Sequence, residues 1–100
     1  MTAYFVAQIR VDDPAEYQRY LDACDGVFAR FNGEYLAVDP APTVLEGAWP
    51  YTRSVLIRFP SEADLLAWYA SPDYQAIVVH RLGGATCDSL IVHGKDEARA

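Results

Sequence analysis

The sequence predicts a two-layer α+β sandwich, with helices laid on one side of an antiparallel sheet. Three observations predict it. Apolar and polar residues alternate in several short segments, as half-buried strands require. Between those segments apolar residues recur at spacings of three and four, the period of a helix with one buried stripe. Helix-start signals stand where the period changes, at Asp13-Pro14 and again at Ser71-Pro72.

The first strand is expected over residues 4–11, with Phe5, Ala7, Ile9 and Val11 on one face and Gln8 and Arg10 on the other. Asp13-Pro14-Ala15-Glu16 then opens a helix. Aspartate caps, proline fits the first turn, and Glu16 sits at the capping-box position. Tyr17, Tyr20, Leu21, Cys24, Phe28 and Phe31 form its stripe, and Asn32-Gly33 stops it.

A second strand follows at 34–39. Strict alternation would place Tyr35 and Ala37 on one face, Leu36 and Val38 on the other. Pro40 and Pro42 interrupt it, residues 43–47 suggest a short edge strand, and Trp49-Pro50 lies in a loop. The clearest strand is 53–59, with Val55, Ile57 and Phe59 opposed to Leu56 and Arg58. Ser61 caps a second helix striped by Leu65, Trp68 and Tyr69. Ser71-Pro72 restarts a third, carrying Tyr74, Ile77, Val78, Arg81 and Leu82, which Gly83-Gly84 ends. The last strand is expected at 89–93.

This order gives a ferredoxin-like domain over residues 1–95, with a frayed tail at 96–100. Helices cover one sheet face, whereas Leu36, Val38, Leu56 and Ile91 are expected on the other. A second copy of the chain is the simplest cover for such a face, so a homodimer through the open sheet face is expected.

The bulk numbers narrow the function classes. Fourteen acidic against eight basic side chains leave a net charge of -6, which disfavours nucleic acid and anionic membrane surfaces as partners. Lys95 is the sole lysine, so there is no basic run. No segment reaches the roughly 18 apolar residues of a membrane span. Nothing at residues 1–6 resembles a secretory signal, and two cysteines make no disulfide framework; a cytoplasmic location is expected.

Several blocks carry a family likeness: Asp13-Pro14 with Tyr17 and Tyr20; Gly33; Leu45-Glu46-Gly47 with Trp49 and Arg53; Ile57-Arg58-Phe59-Pro60-Ser61; and Trp68-Tyr69-Ala70-Ser71-Pro72-Asp73-Tyr74-Gln75 with Arg81. Over nearly its whole length the chain resembles the DUF1330 family, small proteins of uncharacterised function in the dimeric α+β barrel superfamily. The resemblance implies protomers whose sheets pack face to face into a barrel. It also implies kinship with cofactor-free monooxygenases, isomerases, haem-dependent enzymes and proteins without known activity. The family often continues its second strand with an arginine and glycines, and this chain has Val38-Asp39-Pro40-Ala41 there.

The chemical candidates are few. Arg53 and Arg81 are the side chains suited to hold a carboxylate or enolate in a planar fork. Glu46 or Asp39 is the candidate base, and Trp49, Trp68, Tyr69 and Tyr74 are the candidate pocket lining. Competing structural roles are an Arg53–Glu46 ion pair and core positions for Trp68 and Tyr69. His80 is a weak catalytic candidate, but neither it nor His93 lies in a metal-ligand spacing. Cys24 reads as a buried hydrophobe, and nothing basic adjoins Cys24 or Cys87 to activate it. No phosphate loop, dinucleotide fingerprint or other cofactor motif occurs, and none is expected. Two functions fit: a homodimer binding a small aromatic or carboxylate-bearing molecule, as a cofactor-free isomerase or oxygenase if an enzyme, or a non-catalytic accessory or stress-related module without a pocket.

Overall fold

A computed structural model describes residues 2–95; the tail expected at 96–100 lies outside them. The chain runs β1 (Ala3–Val11), α1 (Pro14–Phe28), a 3-10 turn (Ala29–Phe31), β2 (Glu34–Asp39), β3 (Arg53–Phe59), α2 (Glu62–Ala70), α3 (Pro72–Gly84) and β4 (Ala85–His93). The strands form one antiparallel sheet in the order β2-β3-β1-β4.

The starts of the helices follow local chemistry. The Asp13 carboxylate accepts from the Glu16 amide at 3.2 Å, and the Ser61 hydroxyl from the Asp64 amide at 3.1 Å. Ser71 serves two helices at once. Its hydroxyl donates to the Trp68 carbonyl at 2.8 Å, closing α2, and accepts from the Tyr74 amide at 3.1 Å, opening α3. At the far end of α1, Asn32 takes the left-handed conformation, with φ 63°.

The core lies between the helices and one sheet face. Ala3, Phe5, Ala7 and Ile9 of β1 and Val55, Ile57 and Phe59 of β3 are buried against it. Trp68 forms its aromatic centre, with Tyr74 at a ring-centroid distance of 4.3 Å, Phe5 at 5.1 Å and Phe59 at 5.4 Å. Such rings contribute both apolar area and edge-to-face attraction.

The barrel expected from the family likeness is not formed. The sheet is open, with β2 and β4 as its two edges, and four strands are half the roughly eight needed to close a filled barrel. The architecture is the open two-layer sandwich itself.

Three local expectations also change. Residues 43–47 form no strand; the segment after Pro40 runs as bends and loop, consistent with Pro40 and Pro42 lacking ladder donors. β4 begins at Ala85, four residues earlier than expected, because Gly84 passes directly from helix into strand. Finally, Val38 and Ile91 face the helices. A β-bulge between Tyr35 and Ala37 makes Leu36 the extra residue, so Ala37 pairs with Leu56 and Val38 with Val55. Ile91 pairs with the inward-facing Phe5. The outer face instead carries Tyr4, Val6, Leu56, Leu90 and Val92, set side by side by the ladder Tyr4–Val92 and Leu56–Val6–Leu90.

Candidate functional site

The inner face is not packed throughout. Helix α1 rests chiefly on α3, and a cleft of about 340 Å³ opens between α1 and the β2 side of the sheet. Its floor is Phe5, Ala7, Ile9, Val55 and Ile57. Its roof is α1, through Tyr17, Tyr20, Leu21, Cys24 and Asp25, and Tyr35 and Val38 of β2 form its lip. The same period that makes a helix stripe places Tyr17, Tyr20, Leu21 and Cys24 together; Ala7 contributes little volume beneath them.

Both candidate arginines reach this cleft. Arg81 comes from the last turns of α3 and is only 3% exposed. Its Nη1 donates to the Tyr74 hydroxyl at 3.2 Å, its guanidinium carbon lies 5.9 Å from the Phe5 and Tyr20 ring centroids, and its Nε is buried without a hydrogen-bond partner. Arg53, at the start of β3, places its guanidinium carbon 5.8 Å from the Tyr17 ring centroid, and its Nε is likewise buried and unpartnered. Among the described residues neither arginine forms a salt bridge with a carboxylate.

The phenols beside them cannot supply the missing counter-charge near neutrality. Burial, chiefly, pushes the Tyr74 hydroxyl up to about 12. Burial raises Tyr20 further still, aided by its 2.8 Å hydrogen bond to Tyr74, and Tyr17 and Tyr35 are raised for the same desolvation reason. Asp25 is the one carboxylate lining the cleft. A buried guanidinium without a matched carboxylate costs several kcal/mol, so its retention in an aromatic cleft asks for an anionic occupant.

The remaining candidates are dispersed. Trp68 is core, as are Tyr74 and the partly buried Tyr69; of these Tyr74 alone touches the site chemistry, through its hydroxyl. Trp49 lies in the loop after β2, edge-on to Tyr51 at 5.3 Å, and does not line the cleft. Glu46 sits exposed in the same loop, and no Arg53–Glu46 pair occurs among the described residues. Asp39 closes a turn by accepting from the Ala41 amide at 2.9 Å.

His80 joins Glu16 across α1 and α3, and His93 joins Glu62 at 2.9 Å; both contacts tie elements together away from the cleft. Among the described residues no three His, Cys, Asp or Glu side chains gather as metal ligands would. Cys24 lines the cleft with its sulfur 3.6 Å from the Tyr35 hydroxyl, yet burial pushes its thiol up, as it does for Cys87.

Sequence reasoning missed Tyr17, Tyr20, Tyr35 and Asp25 as lining. Their spacing is that of an ordinary core stripe, and a stripe reads alike over a packed floor or an open one. The signal available was Arg81 on the same helix face as Tyr74 and Ile77, a charge where the pattern demands an apolar residue.

No helix among the described residues is long and apolar enough to cross a membrane. Among curated proteins, none matches the sequence. Solved structures match the fold. A protein of unknown function from Rhodopseudomonas palustris superposes with a TM-score of 0.76 at 18% identity, over 91% of this chain and 80% of that one. A dimeric ferredoxin-like protein of unknown function from Jannaschia sp. CCS1 gives 0.77 at 15% identity, over 94% and 100%. SnoaB, a cofactor-independent oxygenase from Streptomyces nogalater, gives 0.65 at 17% identity, over 99% and 98%. At these identities the likeness is one of fold. A family profile spans residues 2–95, almost the whole chain, and by that match the protein belongs to the family described as a domain of unknown function, DUF1330.

Proposed function

We propose that the cleft between α1 and the sheet binds a small organic molecule bearing a carboxylate or enolate. The observation that carries the reading is Arg81: a nearly inaccessible guanidinium, without a carboxylate partner, with an unspent Nε–H donor in an aromatic cleft. Arg53 adds a second such donor on the facing strand. A non-catalytic module with a filled interior fits less well, because it would leave both donors unsatisfied for no gain.

Fold analogy with SnoaB supports a cofactor-independent oxygenase as the type of reaction, with a cofactor-free isomerase as the related option. For either reaction, the role this reading gives the cleft is to stabilise a substrate anion beside the two guanidinium groups.

A second copy of the chain is the partner this reading gives to the outer sheet face. Leu90, 56% exposed, and Val92, 44% exposed, lie beside Val6 and Leu56 on that face, and proteins of the same fold are dimeric. A second copy laid on this face would bury the patch. Leu56→Asp is expected to halve the mass seen by sedimentation velocity; an unchanged mass would sink the outer-face interface.

Native mass spectrometry of freshly purified protein tests the cleft. A reproducible added mass that disappears in Arg53→Gln, with the fold intact by circular dichroism, supports it. A bare wild-type protein that also ignores small organic anions in calorimetry removes it.

A further inference from the structure

We infer that the occupant is a monoanion built on one aromatic ring, with its carboxylate seated at the Arg81 guanidinium. The inference rests on the organic-anion reading of the cleft and specifies which anion.

A guanidinium can only donate, so at the 3.2 Å contact Tyr74 is the acceptor. The Tyr20 hydroxyl, 2.8 Å away, shares a hydrogen bond with that same oxygen, and either hydroxyl can donate it. Burial keeps both phenols protonated, so neither cancels the Arg81 charge. The Arg81 Nε–H, buried without a hydrogen-bond partner on a residue that lines the cleft, is the donor left for a carboxylate oxygen.

Charge selects among anions. Arg53 and Arg81 against Asp25 give the lining one net positive charge. A monoanion cancels it, whereas a dianion would leave a net negative charge in a poorly solvated space. Shape selects the body. The cleft of about 340 Å³ lies at the small end of ligand pockets, roughly 300–1,000 Å³, and its walls are Phe5, Tyr17, Tyr20 and Tyr35.

Calorimetric titration with benzoate, benzamide and phthalate separates the possibilities. Benzoate is expected to bind about tenfold or more tightly than both others, a difference of roughly 1.4 kcal/mol. Phthalate binding as well as benzoate overturns the monoanion while leaving the anion cleft standing. Benzamide binding as well as benzoate overturns both, because charge then plays no part. Failure of all three to saturate at millimolar concentration overturns this inference, and an added mass in the native spectrum would still keep the broader reading. Arg81→Gln is expected to weaken benzoate several-fold and leave benzamide unchanged; equal benzoate affinity overturns the seat at Arg81. Should Arg81→Gln fail to fold, Arg53→Gln tests the net positive charge of the lining by the same pair of ligands.

Discussion

Gly84, the last residue of α3, lies against the backbone of Tyr17 in the first turn of α1: a Cβ placed on it would stand 2.7 Å from the Tyr17 nitrogen and 3.1 Å from the Asp13 carbonyl oxygen. The Gly84 carbonyl at the same time accepts from the Asp12 and Asp13 amides at 2.9 and 2.8 Å. This contact locks α3 to the entry of α1 and so fixes Arg81 relative to Tyr17 and Tyr20. Gly84→Ala must push backbone from backbone, and the expected cost is about 1–3 kcal/mol. A lowered denaturant midpoint in urea checks it; an unchanged midpoint would mean the two helices shift apart freely.

Ser71 holds the junction of α2 and α3 through one hydroxyl that both donates and accepts. Ser71→Ala removes both bonds and should destabilise the fold by about 1 kcal/mol, the usual cost of a lost cap. Ser71→Asp restores the acceptor and is expected to recover part of that loss in thermal denaturation.

Alkaline pH should weaken the protein through its buried phenols. Tyr74 titrates near the ordinary phenol value of 10.0 when unfolded and is pushed up to about 12 when folded, mainly by burial. The folded state therefore holds its proton longer. Its stabilising contribution is complete below pH 10 and is lost as pH rises from there towards 12. Tyr20 shares the hydrogen bond and shifts in the same direction, so the pair titrates together. In Tyr74→Phe the fall in stability above pH 10 should be shallower; an equal slope, measured by urea unfolding across that range, would place the alkaline sensitivity elsewhere.

Cys24 and Cys87 are expected to resist thiol reagents at neutral pH. Burial raises both thiols, and for Cys24 the neighbouring Asp25 adds to the effect despite the opposing Tyr35 hydrogen bond. Modification by an aromatic disulfide should be slower by on the order of tenfold or more in the native protein than in urea. Equal rates would show that the cleft opens on the timescale of the reaction.

Much of this architecture can be read from local chemistry. Asp13-Pro14 and Ser71-Pro72 mark helix starts because capping and the proline ring act within four residues, and β1 and β3 announce themselves by strict alternation. Faces of edge strands are less legible. The bulge at Leu36 turns Val38 inward, and β4 takes its phase from β1, a partner more than 70 residues away in sequence. The candidate site was half legible. Arg53 and Arg81 stand out as charges in apolar patterns, whereas Tyr17, Tyr20 and Tyr35 become lining only because α1 leans on α3 and stands off the sheet. That displacement is a tertiary property with no local mark. Barrel closure failed as an expectation because it belongs to strand number and edge geometry, which a family likeness does not determine.

The bulge at Leu36 has a bearing on how such a cleft changes. With regular pairing, Ala37 rather than Val38 would lie opposite Val55, and the lip would carry a methyl group where it now carries an isopropyl. β2 is an edge strand with β3 as its single neighbour, so moving the irregularity by one pair would disturb few ladder bonds and leave the floor in place. The aperture is then adjustable by backbone registration, independently of the donors at the inner end. Divergence in what the protein admits could begin at its least constrained strand, while the means of gripping a charged head stays constant.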